Sequence, residues 1–459
     1  MPLSLPQDLV VSVSGFRGKV GRPLTPELLA SIAAAFGAFL RADGEEGPVF
    51  LGRDSRTSGA MYAAAVRAGL SSVGTGVVDL GIVPTPTLLL AAEEAGAAGA
   101  LGVTASHNPA EWNALKFAGG DGVFLDTERM GRFQRFLAEE EIPRAEWDAL
   151  GIMEEDGDAI GRHIQRILAL PFVDVEALRK RAFHVALDCV RGAGGRMVPQ
   201  LLEAVGCRVS GMGLEVDGRF PRDPEPTAAN LAGLGALVRE SGAELGFAVD
   251  PDVDRLSLVD GEGIPLGEDL TLALAAAAVL PRNPGPVVTN LSTSQVVGDV
   301  ARAHGVPFHR APVGEINVAR RMQAEGAVIG GEGNGGVILP ELHLTRDAPV
   351  GIVLLLQHLL QGDTDLSTAA ARWPSYSIVK EKVAFPRERV GDAYAALSRE
   401  LGAPEEDVQD GLRLAWPDQG EWLHVRPSGT EPVIRFIAEA RSPERARALV
   451  GTAHRILGG

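Results

Sequence analysis

Ser106 lies in the segment of this chain whose residue types are best suited to catalysis. It follows the apolar run Gly99–Val103, in the polar stretch Thr104-Ala105-Ser106-His107-Asn108-Pro109. Pro109 has no backbone donor and disfavours helical geometry at Asn108, so the chain turns there and exposes its backbone amides. A serine beside such amides can act as a nucleophile with an anion bound next to it.

Two other roles for this serine compete with that one. Ser106 and Asn108 are residue types that commonly cap turns, and turn capping stays open as an alternative. An acyl-transfer serine with His107 as its base is excluded, because a nucleophile elbow carries glycine two residues before and two residues after the serine. Those places hold Thr104 and Asn108.

A second pattern is a set of alternating carboxylates, Asp250, Asp252 and Asp254, after a strand-like apolar run. Alternate carboxylates can converge on one hard cation, and oxygen-only ligands suit Mg²⁺. An EF-hand is excluded because it needs glycine and glutamate where this chain has Arg255 and Gly261. A solvated acidic loop is the remaining alternative, but like charges after a buried strand repel one another unless they are neutralised.

The glycine-rich segment 330–336 carries Glu332 and Asn334. Its spacing matches GxGxxG, but a dinucleotide fingerprint opens a helix, whereas this segment continues into an extended run that Pro340 ends. It also lacks the lysine of a Walker A motif. The accessible backbone and the two polar side chains suit the recognition of sugar hydroxyls. A hairpin without a ligand is the alternative.

The loop Arg426-Pro427-Ser428-Gly429-Thr430-Glu431-Pro432 has the composition of a phosphate site and lies between two strand-like runs. Arg426 offers a fork of donors, Ser428 and Thr430 offer hydroxyls, and Gly429 exposes its backbone. The two prolines restrict the loop and lower the ordering cost of binding. An ordinary surface turn is the alternative.

Arg17, Lys116 and the pair Asp54 and Arg56 are weaker candidates. Glycines bracket Arg17, and Lys116 lies ten residues past Ser106. Because most such charged residues simply lie on the surface, these are functional candidates only if the fold places them near Ser106.

The periodicity of the chain indicates the scaffold that positions these loops. Thr25 and Pro26 form an N-cap and a first helical turn, with apolar residues at helical spacing up to Leu40. Short strands at 49–51, 185–188 and 287–290 each lead into a polar loop. This alternation argues for parallel α/β sheets with functional loops at the strand ends, in three similar domains. From about residue 375 the pattern changes, which predicts a fourth, smaller α+β domain.

The composition is that of a globular protein with more than one core. The 459 residues carry a formal net charge of −17, which disfavours binding to nucleic acid or an anionic membrane. The two cysteines, Cys189 and Cys207, are expected to be buried thiols. The N-terminus does not resemble a leader, and the apolar stretch 270–280 is too short to span a bilayer, so a cytoplasmic location is expected.

Taken in order, the four motifs resemble those of the α-D-phosphohexomutase superfamily, which comprises phosphoglucomutases, phosphomannomutases and phosphoglucosamine mutases. The serine motif includes Trp112-Asn113-Ala114-Leu115-Lys116. The resemblance spans essentially the whole chain. It implies an α/β fold of four domains around a central cleft, three related mixed α/β domains and a C-terminal α+β domain. We expect these domains at 1–150, 151–258, 259–370 and 371–459.

The same resemblance implies a role for each candidate residue. Ser106 would carry a phosphate, and Mg²⁺ would bridge that phosphate to the protein. The metal ligands would be Ser106, Asp250, Asp252 and Asp254. The residues that stabilise transferring charge or move protons would be Arg17, His107, Lys116 and Arg255. The sugar contacts would be Glu332 and Asn334, and the phosphate contacts would be Arg426, Ser428, Gly429 and Thr430. A hexose 1,6-bisphosphate would serve as intermediate and activator.

Two departures from better-known relatives bear on the substrate. Many relatives have serine and then Gly-His in the sugar loop, where this chain has Asn334 and then Gly335-Gly336. The run 312–317 also lacks a basic residue that is common there. With Arg346-Asp347 after it, this loop is most similar to a prokaryotic branch of phosphoglucosamine mutases and phosphomannomutase/phosphoglucomutases. Glucosamine phosphate is the favoured substrate, and glucose or mannose phosphate is the alternative.

A non-catalytic sugar-phosphate binding protein is an alternative of another class. The intact Ser106 and aspartates disfavour it. The expected partners are a small-molecule sugar phosphate, no nucleic acid and no membrane, and the chain is expected to be a monomer or a homodimer.

Overall fold

The computed structural model describes residues 3–427 and 433–457, and the first domain is built on a seven-stranded sheet. Its strands are β1 (Val10–Ser12), β2 (Gly15–Lys19), β3 (Val49–Arg53), β4 (Val77–Ile82), β5 (Gly99–Val103), β6 (Trp112–Gly119) and β7 (Met153–Glu155). Its helices are α1 (Pro26–Ala42), α2 (Gly59–Ser71), α3 (Thr85–Glu94) and α4 (Thr127–Glu139). The strand order is β1-β2-β6-β5-β3-β4-β7. Thr25 caps α1 by accepting from the Leu28 N–H, as predicted.

The second domain has a four-stranded sheet in the order β11-β10-β8-β9. The strands are β8 (His184–Asp188), β9 (Arg208–Met212), β10 (Leu245–Val249) and β11 (Leu256–Val259). The helices are α5 (Ala159–Leu168), α6 (Val175–Arg181), α7 (Gly194–Ala204) and α8 (Ala232–Ser241).

The third domain has a five-stranded sheet in the order β13-β12-β14-β15-β16. The strands are β12 (Val287–Asn290), β13 (Phe308–Ala311), β14 (Ile329–Glu332), β15 (Gly336–Leu339) and β16 (His343–Arg346). The helices are α9 (Asp269–Val279), α10 (Gln295–Ala303), α11 (Glu315–Glu325), α12 (Ala348–Gly362) and α13 (Leu366–Ala371). One continuous hydrophobic core runs through the second and third domains.

The fourth domain has a five-stranded antiparallel sheet in the order β17-β21-β20-β19-β18, as an α+β domain requires. The strands are β17 (Ser377–Ala384), β18 (Glu405–Asp407), β19 (Leu412–Trp416), β20 (Glu421–Pro427) and β21 (Val433–Ala440). The helices are α14 (Val390–Leu401) and α15 (Pro443–Ile456). The phosphate-loop residues Ser428, Gly429 and Thr430 lie outside the described residues.

The expectation of parallel sheets needs a correction, because the first three sheets are mixed. Each combines parallel strands with strands that run the other way: β6 against β5, β11 against β10 and β15 against β14. The connections at these places are short turns, and a short turn can only join antiparallel neighbours. The serine segment, the aspartate loop and the glycine-rich loop are these three turns.

Buried polar contacts dock the fourth domain on the third. The Nδ1 atom of His424 lies 2.8 Å from Ser292 Oγ, and Glu439 Oε1 accepts from the Gln295 N–H at 2.9 Å. Arg413 Nε donates to the Leu291 carbonyl at 3.1 Å. Buried polar groups that find partners across an interface fix its geometry, so the sheet of the fourth domain is held against the third domain.

Two further expectations can be compared with the fold. Cys189 is a buried thiol, as predicted, whereas Cys207 is only partly buried at the start of the edge strand β9. Among the described residues, none of the helices combines the length and the apolar character that crossing a membrane would require.

Phe133 is the centre of the aromatic core of the first domain. Its ring lies 5.1 to 6.0 Å from the rings of Phe16, Phe36, Phe39 and Phe117, measured between centroids. We expect Phe133→Ala to destabilise this domain by about 3–5 kcal/mol, because the truncation leaves a cavity among rings that cannot collapse. Urea unfolding would measure the loss. Phe136→Ala on the same helix is the control, since Phe136 is only partly buried, and equal losses in the two variants would contradict this account.

Candidate active site

The aspartate loop brings its carboxylates together. Asp250, Asp252 and Asp254 are all fully buried on the β10–β11 turn, and one carboxylate oxygen of each lies within 4.8 Å of the others. The turn is tight: Val253 has a left-handed φ of 65°, and the N–H groups of Asp254 and Arg255 donate to Asp250 Oδ1 at 3.1 and 3.2 Å. The backbone therefore directs alternate carboxylates to one place.

Two oxygens of this cluster indicate what it can hold. Asp252 Oδ1 and Asp254 Oδ1 are buried, and neither has a hydrogen-bond partner within the described part of the chain. Burial and the neighbouring carboxylates of Asp254 and Asp252 raise the pKa of Asp250 well above its usual value. A hard divalent cation would satisfy these oxygens and favour the ionised form, so the donor set fits Mg²⁺.

The other oxygens of the cluster have protein partners. Lys116 Nζ and Thr85 Oγ1 donate to Asp252 Oδ2 at 2.9 and 3.0 Å. Arg346 Nη2 donates to Asp254 Oδ2 at 2.6 Å. Burial acts to raise the pKa of Asp252, but the Lys116 ammonium outweighs it and holds that pKa below its usual range. One side of the cluster is thus neutralised by the protein.

Ser106 lies against this cluster. Its Oγ donates to Asp250 Oδ2 at 2.8 Å and lies 3.3 Å from His107 Nδ1. Ser106 has a φ of 48°, a conformation that is unusual for a residue with a side chain, and its N–H is held by Thr104 Oγ1 at 3.0 Å. Strain of this kind persists only where the surroundings impose it, and it is frequent at functional sites.

Arg56 imposes that conformation. Its buried guanidinium donates to four carbonyl oxygens of the serine turn: Ser106 at 2.6 Å, Asn108 at 2.6 Å, Pro109 at 2.7 Å and Trp112 at 3.0 Å. Asp54 receives Arg56 Nε at 3.0 Å and the Thr104 hydroxyl at 2.7 Å. Asp54 and Arg56, whose role was ambiguous in the sequence, therefore lie next to Ser106 and hold its loop in place.

The basic residues predicted to stabilise charge surround the same turn. Arg255 Nη1 donates to Glu225 Oε1 at 2.9 Å, and His107 Nε2 lies 4.0 Å from that oxygen. Arg17 Nη1 donates to Asn108 Oδ1 at 2.8 Å. Burial and the charge of Arg255 lower the pKa of His107 to about 2, so its imidazole is neutral. Fixed positive charge beside Ser106 comes from the arginines and from Lys116.

Glu332 of the glycine-rich loop is joined to the aspartate cluster through Arg346. Arg346 Nη1 donates to Glu332 Oε2 at 3.0 Å, while Asn290 Nδ2 and the Gly314 N–H donate to Glu332 Oε1 at 2.8 and 3.1 Å. Asn334 Oδ1 accepts from the Gly336 N–H at 3.2 Å, which shapes the turn itself.

Arg426 extends from the fourth domain toward the third. Its Nη2 lies 3.2 Å from Asp410 Oδ2, which also accepts the Val313 N–H at 3.0 Å. Arg426 Nε is buried without a hydrogen-bond partner among the residues described. The role of Arg426 in phosphate binding stays a prediction, as do the roles of the residues that follow it.

Sequence reasoning missed two residues that contact the aspartates. Thr85 lies between two prolines at the start of α3, shortly after β4 ends. A polar residue just past the end of a strand is the sequence signal that could have identified it. From the sequence, Arg346 served only to indicate which branch of the superfamily the chain resembles. Its three carboxylate partners lie on distant segments, so local spacing could not reveal them.

The family models match the chain along most of its length. Residues 9–141, 161–263 and 267–376 match phosphoglucomutase/phosphomannomutase alpha/beta/alpha domains I, II and III. Residues 379–453 match the C-terminal domain of the same family.

Similar proteins agree with these models. A Phosphoglucomutase/phosphomannomutase of Thermococcus kodakarensis is 37% identical over 441 residues, covering 94% of this chain and 95% of that protein. A "Probable phosphoglucosamine mutase" of Methanopyrus kandleri is 37% identical, covering 95% of each chain. The crystal structure of a Phosphoglucomutase/phosphomannomutase family protein from Burkholderia thailandensis is 28% identical, covers 98% of each chain and has a TM-score of 0.84.

A divalent cation should stabilise the folded chain through the aspartate cluster. At a Mg²⁺ concentration about 100 times its Kd, we expect a gain of roughly 2.7 kcal/mol, seen as a rise in Tm. Asp252→Asn should lose most of that rise, because Asp252 Oδ1 is one of the two buried oxygens without a partner. Asp418→Asn, at an exposed residue of the fourth domain, is the matched control. A rise of equal size in Asp252→Asn would place the cation elsewhere.

Proposed function

The chain belongs to the phosphoglucomutase/phosphomannomutase family of isomerases, and we propose that it interconverts the 6- and 1-phosphates of a hexose through a phosphorylated Ser106. The contact of Ser106 Oγ with Asp250 Oδ2 at 2.8 Å, inside a buried carboxylate cluster, carries this proposal. This contact places a serine with a strained backbone, held by Arg56, directly against carboxylates that are suited to bind a hard cation.

The reaction proceeds in two transfers of a phosphoryl group. In the first, the bond between phosphorus and Ser106 Oγ breaks, and phosphorus bonds to the free hydroxyl of the sugar phosphate. The proton that this hydroxyl loses balances the proton that Ser106 Oγ gains. The product is a hexose 1,6-bisphosphate, which turns round in the site. Its other phosphate then returns to Ser106, and the sugar leaves as the isomeric monophosphate.

The residues around the serine turn are suited to this transfer. Phosphoryl transfer depends chiefly on positioning and on charge stabilisation. Arg56 holds the turn, Lys116 and Arg255 supply fixed positive charge, and Arg17 adds a further cation next to Asn108. His107 is neutral and 3.3 Å from Ser106 Oγ, so it can hold a hydrogen bond there without adding charge.

Asp250, Asp252 and Asp254 would hold Mg²⁺, which supplies neutralisation of phosphate charge when it is bound. Glu332 and Asn334 would contact sugar hydroxyls, and Arg426 with Ser428, Gly429 and Thr430 would hold the phosphate that is not being transferred. A site with one fixed phosphate pocket can accept the sugar in both orientations.

Glucosamine phosphate is the substrate that we favour. The M. kandleri relative is named for glucosamine phosphate and the T. kodakarensis relative for glucose and mannose phosphates, at the same identity of 37%. The loop 330–336 carries Glu332, and a carboxylate near the sugar would stabilise the ammonium group of an amino sugar.

Ser106→Ala tests the phosphoserine. We expect the variant to lose interconversion of the 1- and 6-phosphates by at least about four orders of magnitude, because the nucleophile is removed. Its Tm should stay close to that of the parent chain. Ser31→Ala, at a partly buried serine on α1 far from Ser106 in the sequence, is the matched control.

The same assay separates the alternatives. Turnover by Ser106→Ala near the parent rate would refute a phosphoserine mechanism. Sugar-phosphate binding without turnover by the parent chain, even with glucose 1,6-bisphosphate added, would identify a non-catalytic binding protein. Release of free phosphate faster than isomer formation would identify a phosphomonoesterase.

Relative kcat/KM values for glucosamine, glucose and mannose 6-phosphates test the substrate. We expect glucosamine phosphate to exceed the other two by about tenfold or more, because each well-placed charged contact contributes roughly 1.5–3 kcal/mol. Equal values for glucose and glucosamine phosphates would contradict this preference.

A further inference from the structure

Arg346 bridges two loops that the proposed function uses separately. Its Nη2 donates to Asp254 Oδ2 at 2.6 Å and its Nη1 to Glu332 Oε2 at 3.0 Å. The third nitrogen, Nε, donates to Glu315 Oε2 at 3.1 Å. The side chain is only 9% exposed, so these bonds form away from solvent screening. Each nitrogen of one guanidinium therefore holds a carboxylate from a different loop.

The backbone of Arg346 is held in place by its neighbours. The Arg346 N–H donates to Glu315 Oε1 at 2.8 Å. The next residue, Asp347, caps α12 through Val350 and is contacted at 2.8 Å by the Nε2 atoms of His163 and His343. All three of these residues are buried. The guanidinium thus extends from a fixed point, and its position is set by the fold rather than by its ligand.

Gly336 provides the space through which the side chain passes. A Cβ atom at position 336 would lie 2.2 Å from Arg346 Cδ and 2.8 Å from Arg346 Cγ. The backbone of Gly336 does not have a positive φ, so it is the surrounding space that excludes a side chain, and Asn334 Oδ1 would also lie only 3.2 Å from that Cβ atom. A side chain at position 336 and the observed position of Arg346 therefore exclude each other.

We propose that Arg346 is a positioning residue for this site, which fixes Glu332 and Asp254 relative to each other through the space that Gly336 leaves open. Arg346 does not need to touch the sugar. Its guanidinium holds one oxygen of each carboxylate, which leaves Asp254 Oδ1 for the cation and fixes the orientation of the Glu332 carboxylate. This inference rests on the proposed function, because it assigns Glu332 to the sugar.

The test compares Arg346→Met, Arg346→Lys, Gly336→Ala and the double variant Gly336→Ala/Arg346→Met. Calorimetry with glucosamine 6-phosphate is done in a Ser106→Ala chain, so that binding is measured without turnover. We expect Arg346→Met and Gly336→Ala each to weaken binding at least tenfold. Arg346→Lys should rescue it only in part, because an ammonium lacks the three-way fork. The double variant should bind no more weakly than Arg346→Met, since Gly336→Ala acts through Arg346.

Hydrogen exchange is the second readout and does not depend on the sugar. The N–H groups of Asp254 and Arg255 bond to Asp250, and that of Gly314 bonds to Glu332. We expect exchange in both segments to become at least tenfold faster in Arg346→Met and in Gly336→Ala. If Arg346→Met does not fold, Gly336→Ala alone tests the proposal, because it keeps the charge and displaces the side chain.

Matched controls exclude unspecific effects. Arg320→Met removes an exposed arginine that bridges to Asp121 at 3.0 Å, and Gly157→Ala adds a Cβ with no atom within 4 Å. Both should bind and exchange within twofold of the parent. Parent-like binding and exchange in Arg346→Met and Gly336→Ala, or full additivity of their effects, would overturn the proposal. Absence of sugar-phosphate binding in the parent chain would instead refute the proposed function, and the exchange rates would still decide the role of Arg346.

Discussion

Three buried carboxylates in one small volume are the constraint on which the rest of the site depends. Two unit charges about 4 Å apart interact with roughly 4 kcal/mol at an effective dielectric constant near 20. Asp250, Asp252 and Asp254 therefore need compensation to remain ionised. Lys116 and Arg346 each neutralise one oxygen of the cluster, while two oxygens have no hydrogen-bond partner among the described residues. The protein completes one side of the cluster and leaves the other side for a cation.

The fold repeats one solution in its first three domains. In each of them a parallel strand is followed by a tight turn and a strand that returns beside it: β5 to β6, β10 to β11 and β14 to β15. Such a turn is short, and its ends are held by sheet hydrogen bonds on both sides, so it can maintain strained residues such as Ser106 and Val253. In the fourth domain, β20 and β21 are antiparallel partners as well.

The sequence was sufficient for the motifs, because each set of functional residues is contiguous and the turn that holds them is local. It also predicted the strand that precedes the aspartate loop and the separate character of the last domain. It left the role of Arg56 ambiguous, because the carbonyl partners of Arg56 lie some 50 positions away, and it did not reveal that Arg346 contacts Asp254 from 92 positions away. It could not distinguish parallel from mixed sheets either, because apolar strands read alike whichever way their neighbour runs.

Gly336 illustrates why such residues are hard to predict. A glycine in a glycine-rich loop suggests backbone freedom, yet its backbone here is ordinary, and what matters is the room it leaves for Arg346. The space at Gly336 allows Arg346 to reach three carboxylates, and this sets the charge balance of the site. Arg346 is one cation shared among Asp254, Glu332 and Glu315, so it cannot also neutralise a phosphate on Ser106. A phosphate at Ser106 would add negative charge beside Asp250. Its repulsion by the carboxylates would disfavour the phosphorylated chain unless a divalent cation occupied the cluster. Under the proposed function, phosphorylation of the serine and binding of a cation to the cluster would therefore be linked, each making the other more favourable.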